Sequence, residues 1–326
     1  MEIRIYKTNE ITDKLWIEVV TGFNLSFASN GTNKENLIRN YCSNHFEFSY
    51  HAVCFDNDKV IGFNSILPSY YTHGDKKIKV GLSGSTFVLK EYRKDIFILE
   101  RMFKALEEYC KKEGIVFFIG VPNANSYAYT VKLMKWKNIL DLSYYVLPIK
   151  ISNILNKQSI SIFNFISYFC ARIWLFFNIV FSYVFNTTEN VKKYRMAIDE
   201  DYYNKRFLDE KYKVINEKNN KYSYVIVNED GIKAAYIMDF RSNSDKSYKS
   251  LVNSVRHIMK HENIDIIMYV GTMNLKQALF FKIPKKLEPK KLPLVCKIID
   301  DNFEEDYLSV SNPDNWDFSL MNLDVR

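Results

Sequence analysis

The sequence is poor in the residue types that most often announce a function. It has only five cysteines in 326 residues. Cys42, Cys54, Cys110, Cys170 and Cys296 are scattered, with no pair at metal-ligand spacing, and their odd number argues against a disulfide framework. They read as small buried thiols of a reduced, cytoplasmic protein. Histidine is equally sparse. The one pair at i,i+4 spacing, His257 and His261, has no third ligand nearby and reads as a solvated face, so no metal is expected. There is no glycine-rich Lys-Ser/Thr phosphate loop, no His-Glu-x-x-His and no serine elbow. These absences remove P-loop, zincin and α/β-hydrolase chemistry. No dense Lys/Arg cluster and no nucleic-acid motif is present, so nucleic acid is not an expected partner. The first residues, Met1-Glu2-Ile3-Arg4-Ile5-Tyr6, alternate like a strand and lack the apolar core of a signal peptide.

What is abundant is material for a packed interior: 47% hydrophobic and 16% aromatic residues against 25% charged ones. The length allows two domains of ordinary size. A net charge of +7, mostly from lysine, favours anionic partners such as a phosphorylated cofactor, a nucleotide sugar or an anionic membrane surface.

Residues 1–150 read as mixed α/β. Leu15, Trp16, Val19, Val20 and Phe23 fall at helical spacing over residues 12–27. Two apolar runs, 50–55 and 59–67, flank Asp56-Asn57-Asp58, a hairpin signal. A third strand is expected over 78–89, where Gly81 and Gly84 suggest bulges or close backbone approach. Over 96–112, Leu99, Met102, Phe103, Leu106 and Cys110 form one helical stripe ending before Gly114. The run 115–121 is wholly apolar, as a central strand should be, and Pro122-Asn123-Ala124-Asn125 breaks it. A short helix capped by Asn125 or Ser126 should follow.

The same order recurs in reduced form after residue 193: a hairpin around Asn228-Glu229-Asp230-Gly231, a helix over 248–261, an apolar strand over 264–270, a short helix over 274–281 and a final strand over 293–299. The interval from hairpin turn to apolar strand is shorter here, so the long third strand and its basic turn are expected to be missing, leaving one active site. Between the halves, residues 160–185 are strongly apolar, but Ser161, Asn164, Ser167, Arg172, Asn178 and Ser182 share one side of the helical wheel. That is an amphipathic helix, with two placements open: buried between the halves, or lying on a membrane surface. Arg172 at its middle argues against a span.

The chemistry-bearing segment is Leu82-Ser83-Gly84-Ser85-Thr86-Phe87-Val88-Leu89-Lys90-Glu91-Tyr92-Arg93-Lys94-Asp95-Ile96-Phe97. A strand ends, a basic turn follows and a helix begins, and the free amides and positive dipole end of such a helix suit a diphosphate. The stretch from Val88 through Tyr92-Arg93 into the helix resembles the strand, turn and helix that hold pyrophosphate in GNAT acetyltransferases. The run 115–121 with Pro122-Asn123-Ala124-Asn125-Ser126-Tyr127 and Met134-Lys135-Trp136 resembles the next strand, the splayed gap and the helix beyond it. The whole also resembles tandem GNAT-like proteins of bacterial cell-surface polysaccharide loci, including the closing Trp316-Asp317-Phe318.

The resemblance implies an α/β (α+β) chain of two GNAT-like mixed-sheet domains, the second reduced, joined by an apolar amphipathic helix. Residues 1–150 would be the acyl-CoA-binding domain, 151–192 the helical connector and 193–326 the second, degenerate domain. It implies acetyl-CoA, or another acyl-CoA, held by Phe87, Val88 and Leu89 on the strand edge, by Arg93, Lys94, Asp95, Ile96 and Phe97 at the diphosphate, and by Asn123 and Asn125 across the gap. A strand amide near Phe87 or Val88 would polarise the thioester. Tyr127 and Tyr129 are the candidate acids for the leaving thiolate. Glu91, His73 and His51 are candidate bases. Ser83, Ser85 and His73 are candidate contacts to a small-molecule amine acceptor, an amino sugar or its nucleotide-linked form. The family's loop glycines are absent, their positions in register from Arg93 being Ile96 and Ile98. That departure keeps open an inactive acyl-CoA-binding or scaffold protein; a Fem-like aminoacyl-tRNA-dependent transferase, also built of two GNAT-like halves, is a further alternative, but it needs a tRNA-binding basic surface or coiled-coil arm, and neither is visible. The oligomeric state is not legible.

Overall fold

Local chemistry accounts for most elements of the computed structural model, which describes residues 1–27, 31–155, 162–184, 192–217, 220–242, 247–272 and 279–323. In chain order they are β1 (Glu2–Lys7), α1 (Asp13–Ser26), α2 (Lys34–Cys42), β2 (Tyr50–Asp56), β3 (Lys59–His73), β4 (Lys76–Val88), α3 (Phe97–Lys112), β5 (Ile115–Gly120), α4 (Ala124–Ala128), β6 (Lys137–Asp141) and β7 (Ser143–Pro148). Then come α5 (Ile151–Ile154), α6 (Ile162–Val184), β8 (Tyr194–Met196), α7 (Glu200–Arg206), β9 (Tyr212–Glu217), β10 (Asn220–Glu229) and β11 (Ile232–Ser242). The last are α8 (Ser247–His261), β12 (Ile266–Gly271), β13 (Phe281–Lys282), β14 (Pro293–Ile298), α9 (Tyr307–Ser311) and β15 (Trp316–Asp317).

Thr12 caps α1 by accepting from the Leu15 amide. Asn57 and Asp58 both take positive φ, 47° and 66°, which makes the tight two-residue turn joining β2 to β3. The α3 stripe is buried as its spacing requires, at Ile98, Met102, Phe103, Leu106 and Cys110, and Gly114 ends the helix at φ 81°. The short helix expected over 274–281 lies mostly outside the described residues; Phe281 and Lys282 form a strand.

The strands make two sheets. The first runs β1-β2-β3-β4-β5-β14-β6, with β8 and β15 attached to the far end of β3; the second runs β13-β7-β12-β11-β10-β9. The pair β4·β5 is parallel, as is β11·β12. The sheets exchange strands. β14, late in the chain, fills the slot between β5 and β6 of the first sheet, antiparallel to both. β7, from the first half, fills the matching slot between β12 and β13 of the second.

Matching the two sheets strand by strand from their parallel pairs sets β7 against β14, the hairpin β10–β11 against β3–β4, and α8 against α3. The shorter interval in the second half therefore does not mean that the long third strand is missing, since β11 is its counterpart. Among the described residues the second sheet lacks a counterpart of β1, its reduction lying at the far edge.

α3 covers one face of the first sheet, against Ile61, Ile66 and Phe118. The opposite face, with α1 and α2, shares a single apolar cluster with the inner face of the second sheet, where Phe117, Tyr194 and Trp316 meet Tyr236, Met268 and Val270. The outer face of the second sheet carries α8 and α6. α6 is thus not buried between the halves, because the two sheets already pack on each other there.

The exchange predicts that a fragment ending at residue 150 cannot fold. It would leave the slot of the buried Leu294, Val295 and Cys296 empty and strip β7 of both partners. Urea denaturation followed by circular dichroism should show no cooperative transition; a two-state transition in that fragment would refute the exchange.

Candidate active site

The parallel pairing of β4 and β5 runs from Lys79 and Ile115 to Leu82 and Ile119 and then stops. Where they part, Ser83 stands beside Gly120: a Cβ on that glycine would lie 3.4 Å from the Ser83 Cβ. The cause of the parting is a bulge in β4. Ile66 of β3 faces Ser83 and Asn64 faces Thr86, so Gly84 and Ser85 are both opposite Ser65, whose Oγ donates to the Ser85 carbonyl at 3.2 Å. Such a bulge bends and twists its strand away from a neighbour. The Leu89 amide donates to the Ile61 carbonyl at 2.9 Å. By the alternation of a strand, the N–H and C=O of Val88 then face the other way, towards the edge that β5 has left. Asn64 accepts from the Thr86 hydroxyl at 2.7 Å, while its buried Nδ2 has no partner among the described residues. An orphaned buried donor at a bulge is the kind of atom that functional sites retain.

The basic turn after β4 is pinned on all sides. The Tyr92 hydroxyl donates to Asp56 at 3.0 Å. Glu91 pairs with Lys59 at 3.5 Å, and its carboxyl is held below the ordinary range, chiefly by its own backbone amide and further by Lys59. Arg93 turns back, its Nε donating to the Val88 carbonyl at 2.8 Å. Lys94 is exposed. Asp95 caps α3, its Oδ1 accepting from the Phe97 amide at 3.0 Å and its Oδ2 held by Arg101 at 2.6 Å. The mouth of the helix is therefore not an empty nest. One amide is taken by a carboxylate, those of Lys94 and Ile96 have no partner among the described residues, and the Ile96 and Phe97 side chains are 51% and 55% exposed.

Across the gap, Asn123 caps α4 by accepting from the amides of Asn125 and Ser126 and from the Ser126 hydroxyl. Asn125 itself is exposed. The helix continues over Tyr129–Leu133 as one π turn, with the Met134 amide donating to the Tyr129 carbonyl at 3.1 Å. The Tyr129 hydroxyl donates to the Ile96 carbonyl, tying this helix to the start of α3; burial raises its pKa. The Tyr127 hydroxyl has no protein partner among the described residues.

The structure sets Ser83, Ser85 and Val88 along the edge where β4 parts from β5, folds Arg93 back onto Val88 and ties Tyr129 to Ile96, while Leu89 is buried with its amide bonded to Ile61 on the β3 side. The Phe87 backbone belongs there, but its ring is core, stacked on Phe63. Glu91 points to Lys59, away from the gap. His73 pairs with Lys76 at the opposite end of the β3–β4 ladder and hydrogen-bonds to Asp306. His51 is fully buried, its Nε2 2.9 Å from the Thr8 hydroxyl, and burial pushes its pKa down to about 3. Sequence reasoning missed Asn64 and the capping role of Asp95. The latter was legible as an acidic residue directly before a helix.

The second parallel pair also parts, after Ile237 and Tyr269, but the chain itself fills that gap. The Thr272 amide donates to the Phe318 carbonyl at 2.8 Å, the Phe318 amide to the Thr272 hydroxyl at 2.9 Å, and the Ser319 hydroxyl to the Met238 carbonyl at 3.1 Å. Gly271 is required here. Its φ is 152°, and a Cβ would lie 2.2 Å from the Phe318 carbonyl oxygen. A cavity of about 390 Å³ remains beside this seam, between Asp239, Tyr269, Arg195 and Asp317.

No family model and no curated protein sequence matches the chain. Solved structures do. A probable N-acyltransferase from Enterococcus faecalis aligns over 92% of this chain and 73% of its own, with TM-score 0.60 and 9% identity. A GCN5-related N-acetyltransferase from Kribbella flavida aligns over 92% and 72%, with TM-score 0.58 and 11% identity. Another from Anabaena variabilis aligns over 91% and 73%, with TM-score 0.53 and 12% identity. The chain has the GNAT fold. At these identities the likeness concerns the fold alone.

Two predictions concern the turn and the core beneath it. Asp95→Asn keeps the cap on the Phe97 amide but loses the ion pair with Arg101, so urea denaturation should show a loss of no more than about 1 kcal/mol. His51 stays neutral when folded but takes a proton near pH 6.5 when unfolded. Stability is therefore full above pH 6.5 and should fall by a few kcal/mol as the pH drops towards 3, where unfolding binds the extra proton. Urea titrations across that range should show a flatter slope in His51→Gln.

Proposed function

We propose that this chain is an acyl-CoA-dependent N-acyltransferase, with acetyl-CoA the leading donor, and that its donor site is the open edge of β4 in the first half. The observation that carries this reading is the parting of β4 from β5 at a bulge. It leaves Val88 polar groups facing a gap inside a sheet, where buried backbone groups ordinarily demand partners. The second gap is closed by Phe318 and Ser319 and is not assigned a donor.

The residues fit an amide-bearing chain along that edge. Val88 would pair with it, Arg93 would exchange the Val88 carbonyl for the diphosphate, and Lys94 with the free amides of Lys94 and Ile96 would complete the anion contacts. The donor supplies a thioester, whose carbonyl the Val88 amide is oriented to polarise. The acceptor is a small amine, an amino sugar or its nucleotide-linked form, which enters beside Ser83 and Ser85. It attacks as the neutral amine; the new C–N bond forms as the C–S bond breaks, the Tyr127 hydroxyl gives its proton to the departing sulfur, and the proton that the new amide nitrogen sheds returns to the Tyr127 phenolate through water. Glu91 and His73 lie away from the gap and His51 is sealed in the core, so the amine loses its proton to water. All five cysteines are unpaired, in keeping with a reduced cytoplasmic setting.

A second reading, a binding protein without turnover, is favoured by one observation: Asp95 and the exposed Ile96 and Phe97 stand where a diphosphate is usually cradled. Two measurements separate the readings. Acetyl-CoA should raise the melting temperature by a few degrees, an effect absent in Arg93→Glu. In a thiol-release assay over a panel of amines, Tyr127→Phe should lower kcat about tenfold or more with coenzyme A affinity unchanged. Binding without thiol release for any amine would leave the non-catalytic reading standing; no response to any acyl-CoA would sink both.

A further inference from the structure

α6 is built inside out. A helix on a protein surface normally turns its apolar stripe to the core and its polar residues to water. In α6 Asn164, Ser167, Asn178 and Ser182 face the protein, while Arg172 is exposed. The Asn164 Oδ1 accepts from the Ser152 amide at 2.9 Å. The Ser167 hydroxyl donates to the Ile149 carbonyl at 2.7 Å. Asn178 is buried and accepts from the Tyr248 hydroxyl, and Ser182 is buried beside it. The indole of Trp174 donates to the Leu279 carbonyl at 2.9 Å. Meanwhile Phe165, Phe169, Phe176, Phe177 and Phe181 face outward at 75%, 56%, 62%, 50% and 54% exposure, beside several exposed isoleucines and valines. Phe281, stacked on Trp174, is exposed next to them.

The scale of this face sets it apart from scattered surface leucines. Around ten half-exposed aromatic and aliphatic side chains present on the order of 1,000 Å² of apolar surface, against a few hundred for an ordinary monomer. Its charges have one sign. α6 and the neighbouring α8 contain no Asp or Glu. Arg172 on α6 and Arg256 and Lys260 on α8 are exposed, without a carboxylate partner among the described residues. The Lys249 ammonium sits 4.0 Å over the Tyr183 ring at the C-terminal end of α6.

We propose that this face docks the protein on an anionic bilayer, with α6 lying in the plane of the interface. Phenylalanines enter the acyl boundary while Arg172, Arg256 and Lys260 meet lipid phosphates. The helix is long and apolar enough to cross a bilayer by length and composition. Its inward polar groups, however, are bonded to Ser152, Ile149, Leu279 and Tyr248 from Asn164 to Asn178, and a crossing helix would have to abandon those bonds in hydrocarbon. The inference does not depend on the transferase reading.

The test is flotation of the full chain with phosphatidylcholine vesicles, with and without phosphatidylglycerol. The wild type should float with the anionic vesicles and several-fold less with the neutral ones. Phe165→Glu with Phe177→Glu, both solvent-facing, should reduce flotation at least tenfold while leaving the thermal melt unchanged. Arg256→Glu with Lys260→Glu should abolish the preference for anionic lipid. An alkaline carbonate wash should release the bound protein. Failure to float with either vesicle overturns the proposal. So does elution as a dimer that the phenylalanine variant splits, which would make the face a contact between copies. Retention after the carbonate wash would overturn the in-plane placement.

Discussion

Two parallel strands that stop pairing midway leave backbone donors and acceptors inside a sheet, and a fold must give those groups partners. Both halves of this chain meet that constraint, and they answer it differently. In the second half, the segment carrying Phe318 and Ser319 lays its own backbone and a hydroxyl against Met238, Gly271 and Thr272. In the first, among the described residues, the Arg93 side chain reaches the free edge, through the Val88 carbonyl. A side chain is easily displaced, whereas a strand-like segment locked by Gly271 is not. The first parting is therefore bridged by a side chain and the second by backbone, with the cavity of about 390 Å³ beside the second, although the surrounding sheets have the same strand order.

The strand exchange is what holds the two halves in register. β14 is fully buried over Leu294, Val295 and Cys296 inside the first sheet, and Tyr144 and Leu147 of β7 are equally buried in or against the second. The shared interior puts Phe117, Tyr194 and Trp316 of the first sheet in one apolar cluster with Tyr236, Met268 and Val270 of the second. The bulge at Ser83–Ser85 bends a strand held by β3 throughout and by β5 up to Leu82, so the geometry of the first gap is inherited from the sheet around it.

Much of this was readable from local pattern. The stripe from Leu99 to Cys110, the Asp56-Asn57-Asp58 turn, the apolar run at 115 and the break at Pro122 each carry their own physical signal, and each became the expected element. Pairing was not readable, because the period of a strand says which face is buried and nothing about which neighbour it takes. For that reason element order equates the hairpin β10–β11 with β2–β3, whereas the parallel β11·β12 ladder makes it the counterpart of β3–β4. The polar stripe of α6 was legible, but not that it would face inward, since periodicity is blind to which side is covered. At the cleft, the turn and helix were found from charge and spacing. His51 and His73 were drawn in by residue type alone, and the structure puts one in the core and the other at the far end of β3.

The exchange also bears on how the protein is made. β5 ends at Gly120, yet the strand that completes its sheet begins at Pro293. During synthesis the first half must wait on the ribosome with a raw slot beside β5, while β7 and the phenylalanines of α6 emerge unprotected. Such long-range closure is slow and invites aggregation. A nascent chain of this design is a natural client for chaperones that shield apolar segments until the last strand arrives.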